Sequence, residues 1–220
     1  MKFSGLLFDL DGTILDTTNL IVQSFQHTFR VHYNRQILPQ EVHRFFGKPL
    51  RTAMEALGPD KVEELIETYR EYNLTHHDAL TTIFSGMRDT LETLYDAGFP
   101  MAIVTSKTSE TALRGLKLFN MDHFFPVLIG VHECERHKPN REPVETALRQ
   151  LGLSAETCLM IGDSPFDIIS ARDAGAKTAA VRWTYVSWEE LLNERPTYIL
   201  EKPQDLLSLC GLENINILGR

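Results

Sequence analysis

Five short runs of apolar and β-branched residues, GLLFDL, MAIVTS, PVLIGV, TCLMIGD and KTAAVRW, recur along the chain with helical patterns between most of them. Strands that alternate with helices pair in parallel and need cover on both sides. The pattern therefore predicts an α/β fold, a Rossmann-like parallel sheet with helices on both faces. Met87, Leu91 and Leu94 keep helical spacing before Gly98, as do Val144, Ala147, Leu148 and Leu151 before Gly152. Each such helix can cover one face of the sheet. A chain of 220 residues, 43 % of them hydrophobic, can bury the core of one large domain or of two small ones.

Between the first two strands lies far more chain than one crossover helix needs. Residues 17 to 82 read as entirely helical. Ile21, Phe25 and Phe29 stack at i, i+4 and i+8, Pro39 suits a first helical turn, and Val62, Leu65, Ile66 and Tyr69 form a second stripe. The expected organisation is a small helical bundle over 17–82, inserted into an α/β core made of 1–16 and 83–220. Aromatic stripes of this kind read as core packing rather than as a cofactor box.

Charge narrows the partners. A formal net charge of −8 with scattered basic residues argues against nucleic acid, so an anionic ligand must be met by local cations. The longest apolar stretch, FFPVLIGV, is interrupted by Pro126 and falls short of the roughly 20 residues that span a bilayer, so no membrane segment is expected. Cys134, Cys158 and Cys210 are an odd, widely spaced set, and the N-terminus shows no secretory pattern; a reduced, cytoplasmic protein is expected. His132, Cys134 and His137 lie close together but offer one thiolate and no remote partner pair, so they read as loop side chains rather than a zinc site.

Polar residues follow three of the apolar runs at their carboxyl ends: Asp9 and Asp11, then Thr105, then Asp163. In open α/β sheets the ligand crevice lies just outside those ends, so groups about 150 residues apart can converge on one site. Carboxylates held that close repel each other unless a cation lies among them. A small all-oxygen set suits Mg²⁺, which keeps several of its waters. The spacing thus predicts a magnesium site that awaits a phosphate.

Taken in order, DLDGTILD, IVTSK, KP and GDSPFD resemble the haloacid dehalogenase superfamily of phosphohydrolases, over nearly the whole chain. The resemblance implies that Asp9 is the nucleophile and forms an aspartyl phosphate, while Asp11 protonates the leaving group and then activates water. It also implies that the Asp11 carbonyl joins Asp9 and Asp163 around Mg²⁺. Thr105 and the Ser106 amide would hold the phosphoryl oxygens, and Lys138 would balance charge on Asp9 and the phosphoryl group. Asp167 lies one helical turn beyond Asp163; it serves the metal directly or through water, or is simply a helix N-terminal acid. Gly12 and Thr13 fit the family's hinge. Many relatives carry proline where this chain has Arg141, which touches loop shape and not chemistry, and a cis Lys138–Pro139 bond is expected.

A helical insertion between the first two motifs places the chain with the phosphoglycolate phosphatase and β-phosphoglucomutase branch, in which the insertion is a cap that closes over the site and selects the substrate. Within FGKPLRTAM, Lys48 and Arg51 resemble the cap loop that faces the site; they contact an anion or are solvated. His76 and His77, in THHD, read as a solvated turn near the returning hinge. YREYNLTHHD, FGKPL and RWT look like the inorganic pyrophosphatases of the branch. The expected substrate is pyrophosphate, whose leaving phosphate departs more readily than an alkoxide. The alternatives are phosphoglycolate or a broad set of small phosphomonoesters, then a mutase, then a non-catalytic phosphoprotein-binding module, against which the intact Asp9, Asp11, Lys138 and Asp163 argue. Oligomeric state is not legible.

Overall fold

The computed structural model describes residues 2–212, so Met1 and residues 213–220 of the expected core range lie outside the described residues. The chain begins with β1 (Gly5–Phe8) and β2 (Leu15–Asp16), followed by the helices α1 (Thr18–Tyr33), α2 (Pro39–His43), α3 (Leu50–Leu57) and α4 (Val62–Leu80). It continues through β3 (Thr82–Ile83), α5 (Met87–Asp96), β4 (Met101–Val104), α6 (Ser109–Leu118), β5 (Val127–Ile129), α7 (Glu142–Leu151) and β6 (Cys158–Gly162). The last elements are α8 (Pro165–Asp173), β7 (Lys177–Val181), α9 (Trp188–Asn193), β8 (Tyr198–Leu200) and α10 (Asp205–Leu209).

Six strands form one sheet in the order β5-β4-β1-β6-β7-β8, every neighbouring pair parallel. The order reverses at β1, and so β1 is central, flanked by β4 and β6. Alternate residues of these strands enter different cores. Leu6, Phe8, Met101, Ile103, Leu159 and Ile161 pack with the apolar sides of α5, α6 and α10, whereas Leu7, Ala102, Val104 and Met160 pack with α7 and α8. A strand buried on both faces must read as an unbroken apolar run, which is why the sheet was visible in the sequence.

Helices α1 to α4 bury a separate cluster built on Phe25, Phe29, Ile37, Met54 and Leu65. The chain leaves for these helices through β2 and returns through β3, and the two strands pair antiparallel, Leu15 with Ile83 and Asp16 with Thr82. This ribbon was not visible in sequence, because two-residue strands carry no period. The structure also corrects the reading of THHD: α4 runs on to Leu80, and His77 is fully buried with Nδ1 2.8 Å from Asp78 Oδ1. β8 went unread because its three residues include the exposed Ile199. Among the described residues no helix is long and apolar enough to cross a membrane.

Candidate active site

The carboxyl edge of the sheet gathers the acids. Asp9 follows β1, Thr105 follows β4, and Asp163 follows β6; parallel register puts all three ends on one side, and all three residues are buried. Lys138 comes in from the loop before α7, through a cis Lys138–Pro139 bond. Its ammonium donates to Asp9 Oδ1 at 2.6 Å, to Asp167 Oδ1 at 2.6 Å and to the Val104 carbonyl at 2.9 Å. All three of its protons are therefore committed.

Asp167 is the third residue of α8, and its position follows from a capping box. Its Oδ2 accepts from the Ser164 amide at 3.0 Å and the Ser164 hydroxyl at 2.8 Å, while Oδ1 holds Lys138. Both of its oxygens are thus spent on protein donors, which makes Asp167 first of all the residue that positions Lys138. Asp9 and Asp163 differ from it. Asp163 Oδ2 accepts from the Thr184 hydroxyl at 2.9 Å, whereas Asp163 Oδ1 and Asp9 Oδ2 accept from no protein donor among the described residues.

Oxygens of Asp9, Asp163 and Asp167 lie within 4.8 Å of one another. Burial pushes the Asp9 carboxyl up to about 7, with Asp167 and Asp11 adding to the rise that Lys138 opposes. Burial and then the Asp9 charge push Asp163 well above the usual carboxylate range. Burial works against the Lys138 charge, yet Asp167 and Asp9 overcome it and hold the ammonium well above its ordinary value. One cation among three buried acids leaves an excess of negative charge, and the two free oxygens are hard donors, so a small divalent cation fits the set.

Asp11 turns elsewhere. Its Oδ1 accepts from the Thr17 hydroxyl at 2.9 Å and from Lys107 Nζ at 2.8 Å, Oδ2 accepts from no protein donor among the described residues, and the carboxylate stands outside the cluster that Asp9, Asp163 and Asp167 form. The glycine after it is required: Gly12 has φ +83, and a Cβ there would overlap the Asp163 carboxylate. Thr105 Oγ1 accepts from the Lys107 amide at 3.2 Å, and the Ser106 amide is not taken by any group among the described residues.

The helical insertion reaches this edge at one turn. Gly47 has φ +75, and a Cβ on it would lie 2.8 Å from Ser164 Cβ, so FGKP abuts the loop that carries Asp163. Lys48, next in that turn, is exposed. Arg51 is not directed to the crevice: it makes a two-point bond to Glu63 of α4, at 2.7 and 2.9 Å. Glu63, in the first turn of α4, is the carboxylate that holds this guanidinium, and both side chains are exposed.

The profile of the haloacid dehalogenase-like hydrolases matches residues 6–181, which takes in every group just described except Thr184. This chain belongs to that family. The hydrolase is 44% identical over 212 residues to the pyrophosphatase PpaX of Anoxybacillus flavithermus, covering 96% of this chain and 99% of that protein. It is 40% identical over 213 residues to the pyrophosphatase PpaX of Halalkalibacterium halodurans, covering 97% and 99%. A haloacid dehalogenase-like hydrolase from Streptococcus pneumoniae superposes with a TM-score of 0.87 at 29% identity, covering 95% of this chain and 99% of that one. A structure described as a predicted phosphoglycolate phosphatase from Haemophilus somnus shares the fold, with a TM-score of 0.86 at 22% identity and coverage of 96% and 99%.

Three residues of this hydrolase's site were missed in sequence. Thr184 anchors Asp163, Trp183 donates from Nε1 to the Thr13 carbonyl at 3.1 Å, and Lys107 grips Asp11. The likeness of RWT to the pyrophosphatases of the branch assigns no role to its side chains. The loop after β7 thus ties the Asp163 carboxylate to the turn at Thr13, and its Tyr185 ring lies 5.4 Å from His43 of α2.

Proposed function

We propose that this hydrolase is a Mg²⁺-dependent phosphohydrolase that works through an aspartyl phosphate on Asp9 and takes inorganic pyrophosphate as substrate. The observation that carries the mechanism is the Asp9 carboxylate itself, buried at the end of the central strand with one oxygen fixed by Lys138 and the other free. A nucleophile needs that arrangement, one atom held and one presented. Pyrophosphate is supported by relatives of that activity by name, matched over nearly their full length.

Asp9 Oδ2 attacks phosphorus, the bond to the bridging oxygen breaks, and the leaving phosphate keeps the electron pair and accepts a proton from Asp11. Water then attacks the phosphorus of the aspartyl phosphate, Asp11 takes its proton, and phosphate leaves as the Asp9 carboxylate is regenerated. The Thr105 hydroxyl and the Ser106 amide hold the transferring phosphoryl oxygens, and Lys138, fixed against Asp9, balances the charge on Asp9 and the phosphoryl group, which is most of what such a transfer asks of a protein. Mg²⁺, held by Asp9, Asp163 and the Asp11 carbonyl, would offset the negative charge of substrate and ligands. Asp167 serves by orienting Lys138. Residues 17–82 act as the cap over a core of 1–16 and 83–220, and Lys48 meets substrate from the Gly47 turn.

The test is steady-state phosphate release with Mg²⁺ on pyrophosphate, phosphoglycolate and sugar phosphates, with Asp9→Asn as blank. A kcat/KM for pyrophosphate well above the others is the expected result. A preference for phosphoglycolate or a flat profile would overturn the substrate and leave the Asp9 chemistry standing.

A further inference from the structure

A doubly charged leaving group needs a cation beside the group that protonates it. Lys138 has no donor left for that purpose, and Arg51 is tied to Glu63. On the insertion's side, the group that feels the Asp11 charge is Tyr69, whose phenol is held well above its usual range by burial and then by Asp11. It stays neutral. The cation at this position belongs to the core.

Lys107 lies two residues after Thr105, in the loop between β4 and α6, and its backbone is fixed at both polar groups. The amide donates to Thr105 Oγ1 at 3.2 Å, and the carbonyl accepts from the Val131 amide at 2.8 Å. From this base the side chain reaches across to Asp11 Oδ1 at 2.8 Å, with 21% of each side chain exposed. Only one of the three ammonium protons is used among the described residues. A leaving-group oxygen that takes a proton from Asp11 must itself come within hydrogen-bond distance of that carboxylate. Since Thr17 and Lys107 already share Oδ1, the leaving-group oxygen meets Oδ2 and lies within about 3–7 Å of Nζ, a gap that the flexible end of the lysine can close.

We propose that Lys107 contacts the leaving group and makes this enzyme selective for an anionic one; the proposal rests on the phosphohydrolase chemistry given above. As the bridging bond breaks, negative charge builds on the departing phosphate, and an ammonium already in place stabilises it more in the transition state than in the bound substrate. An alcohol or phenol that leaves neutral, protonated by Asp11, draws no comparable benefit. Lys107 thus separates anhydrides from esters at the core side of the site, beside Asp11, while Lys48 meets substrate from the Gly47 turn.

The experiment compares Lys107→Met and Lys107→Arg with wild type in the full-length enzyme with Mg²⁺, on pyrophosphate and on phenyl phosphate. The expected result is a loss of about 30- to 100-fold in kcat/KM for pyrophosphate in Lys107→Met, a loss under about 5-fold for phenyl phosphate, and recovery of most pyrophosphate activity in Lys107→Arg. Activity on phenyl phosphate shows at once that the variant is folded. Equal losses on both substrates would overturn the proposal and make Lys107 a residue that only positions Asp11, and no loss on either would overturn it outright. A wild-type enzyme that does not favour pyrophosphate over phenyl phosphate would instead refute the substrate itself, before any variant is read.

Discussion

Lys138 and Arg51 are both basic side chains bonded to carboxylates, and they teach opposite lessons. The Lys138 side chain is 4% exposed between Asp9 and Asp167, with every donor satisfied, whereas Arg51 and Glu63 are 53% and 75% exposed on the surface of two helices. A buried pair cannot exchange its partner for water, so its geometry is fixed and removing one member leaves a charge stranded. An exposed pair loses little when broken, because water replaces the partner. Both sites look like ion pairs; only the first is a machine part.

Loss of the nucleophile should give the largest break. Asp9→Asn is expected to lower turnover by roughly 10⁴-fold or more while the fold persists, measured as phosphate release. Next comes the support of Lys138: Asp167→Ala strands a buried ammonium beside Asp9 and unmakes the α8 cap, and should cost on the order of 3 kcal/mol of stability and about 10²-fold in kcat. If Asp167→Ala left both unchanged, the buried network would be no different in kind from Arg51 and Glu63. Smaller again is Thr184→Val, which frees Asp163 Oδ2 and should raise the Mg²⁺ concentration for half-maximal activity about 10-fold with kcat at saturation nearly intact.

The pH dependence of stability sharpens the same contrast. Without divalent cation, Asp9 titrates in the folded protein at about 7 against an ordinary 3.8, so between these values the folded state binds more protons than the unfolded chain. The contribution is complete below the ordinary value and is lost as pH rises through about 7. In a chelator, Asp9→Asn should therefore melt several degrees above wild type near about pH 8, with the gap closing toward about pH 5. Adding Mg²⁺ should stabilise wild type more at the higher pH. The smallest effect is expected for Arg51→Ala, a change in kcat/KM below about 3-fold; a loss as large as that of Asp167→Ala would erase the distinction between the two regions.

The same division governs what was legible in the sequence. Strands buried on both faces announce themselves as apolar runs, and a parallel sheet brings their carboxyl ends together, so Asp9, Thr105 and Asp163 could be placed on one edge before any coordinates. For Asp167 the sequence left metal service and a helix N-terminal acid both open, and the capping box with Ser164 that sets its place came from the structure. Arg51 was left open between an anion contact and solvation, because a sequence gives the position of a long side chain on a helix and not the partner it turns toward, here Glu63. Thr184 and Lys107 depend on loops after β7 and β4, whose course is set by tertiary contact rather than by any period. His77 was misread because polar neighbours in THHD suggested a turn, while the packing of α4 against the core kept the helix going.

The account rests on Asp9 carrying the phosphoryl group. The most direct test is to mix Asp11→Asn enzyme with Mg²⁺ and pyrophosphate, quench in acid within the first turnover, and map the modified peptide by mass spectrometry. A phosphoryl adduct on Asp9 that accumulates because water is no longer activated is the predicted result. Substrate consumed with no adduct, or an adduct on any other residue, would contradict it.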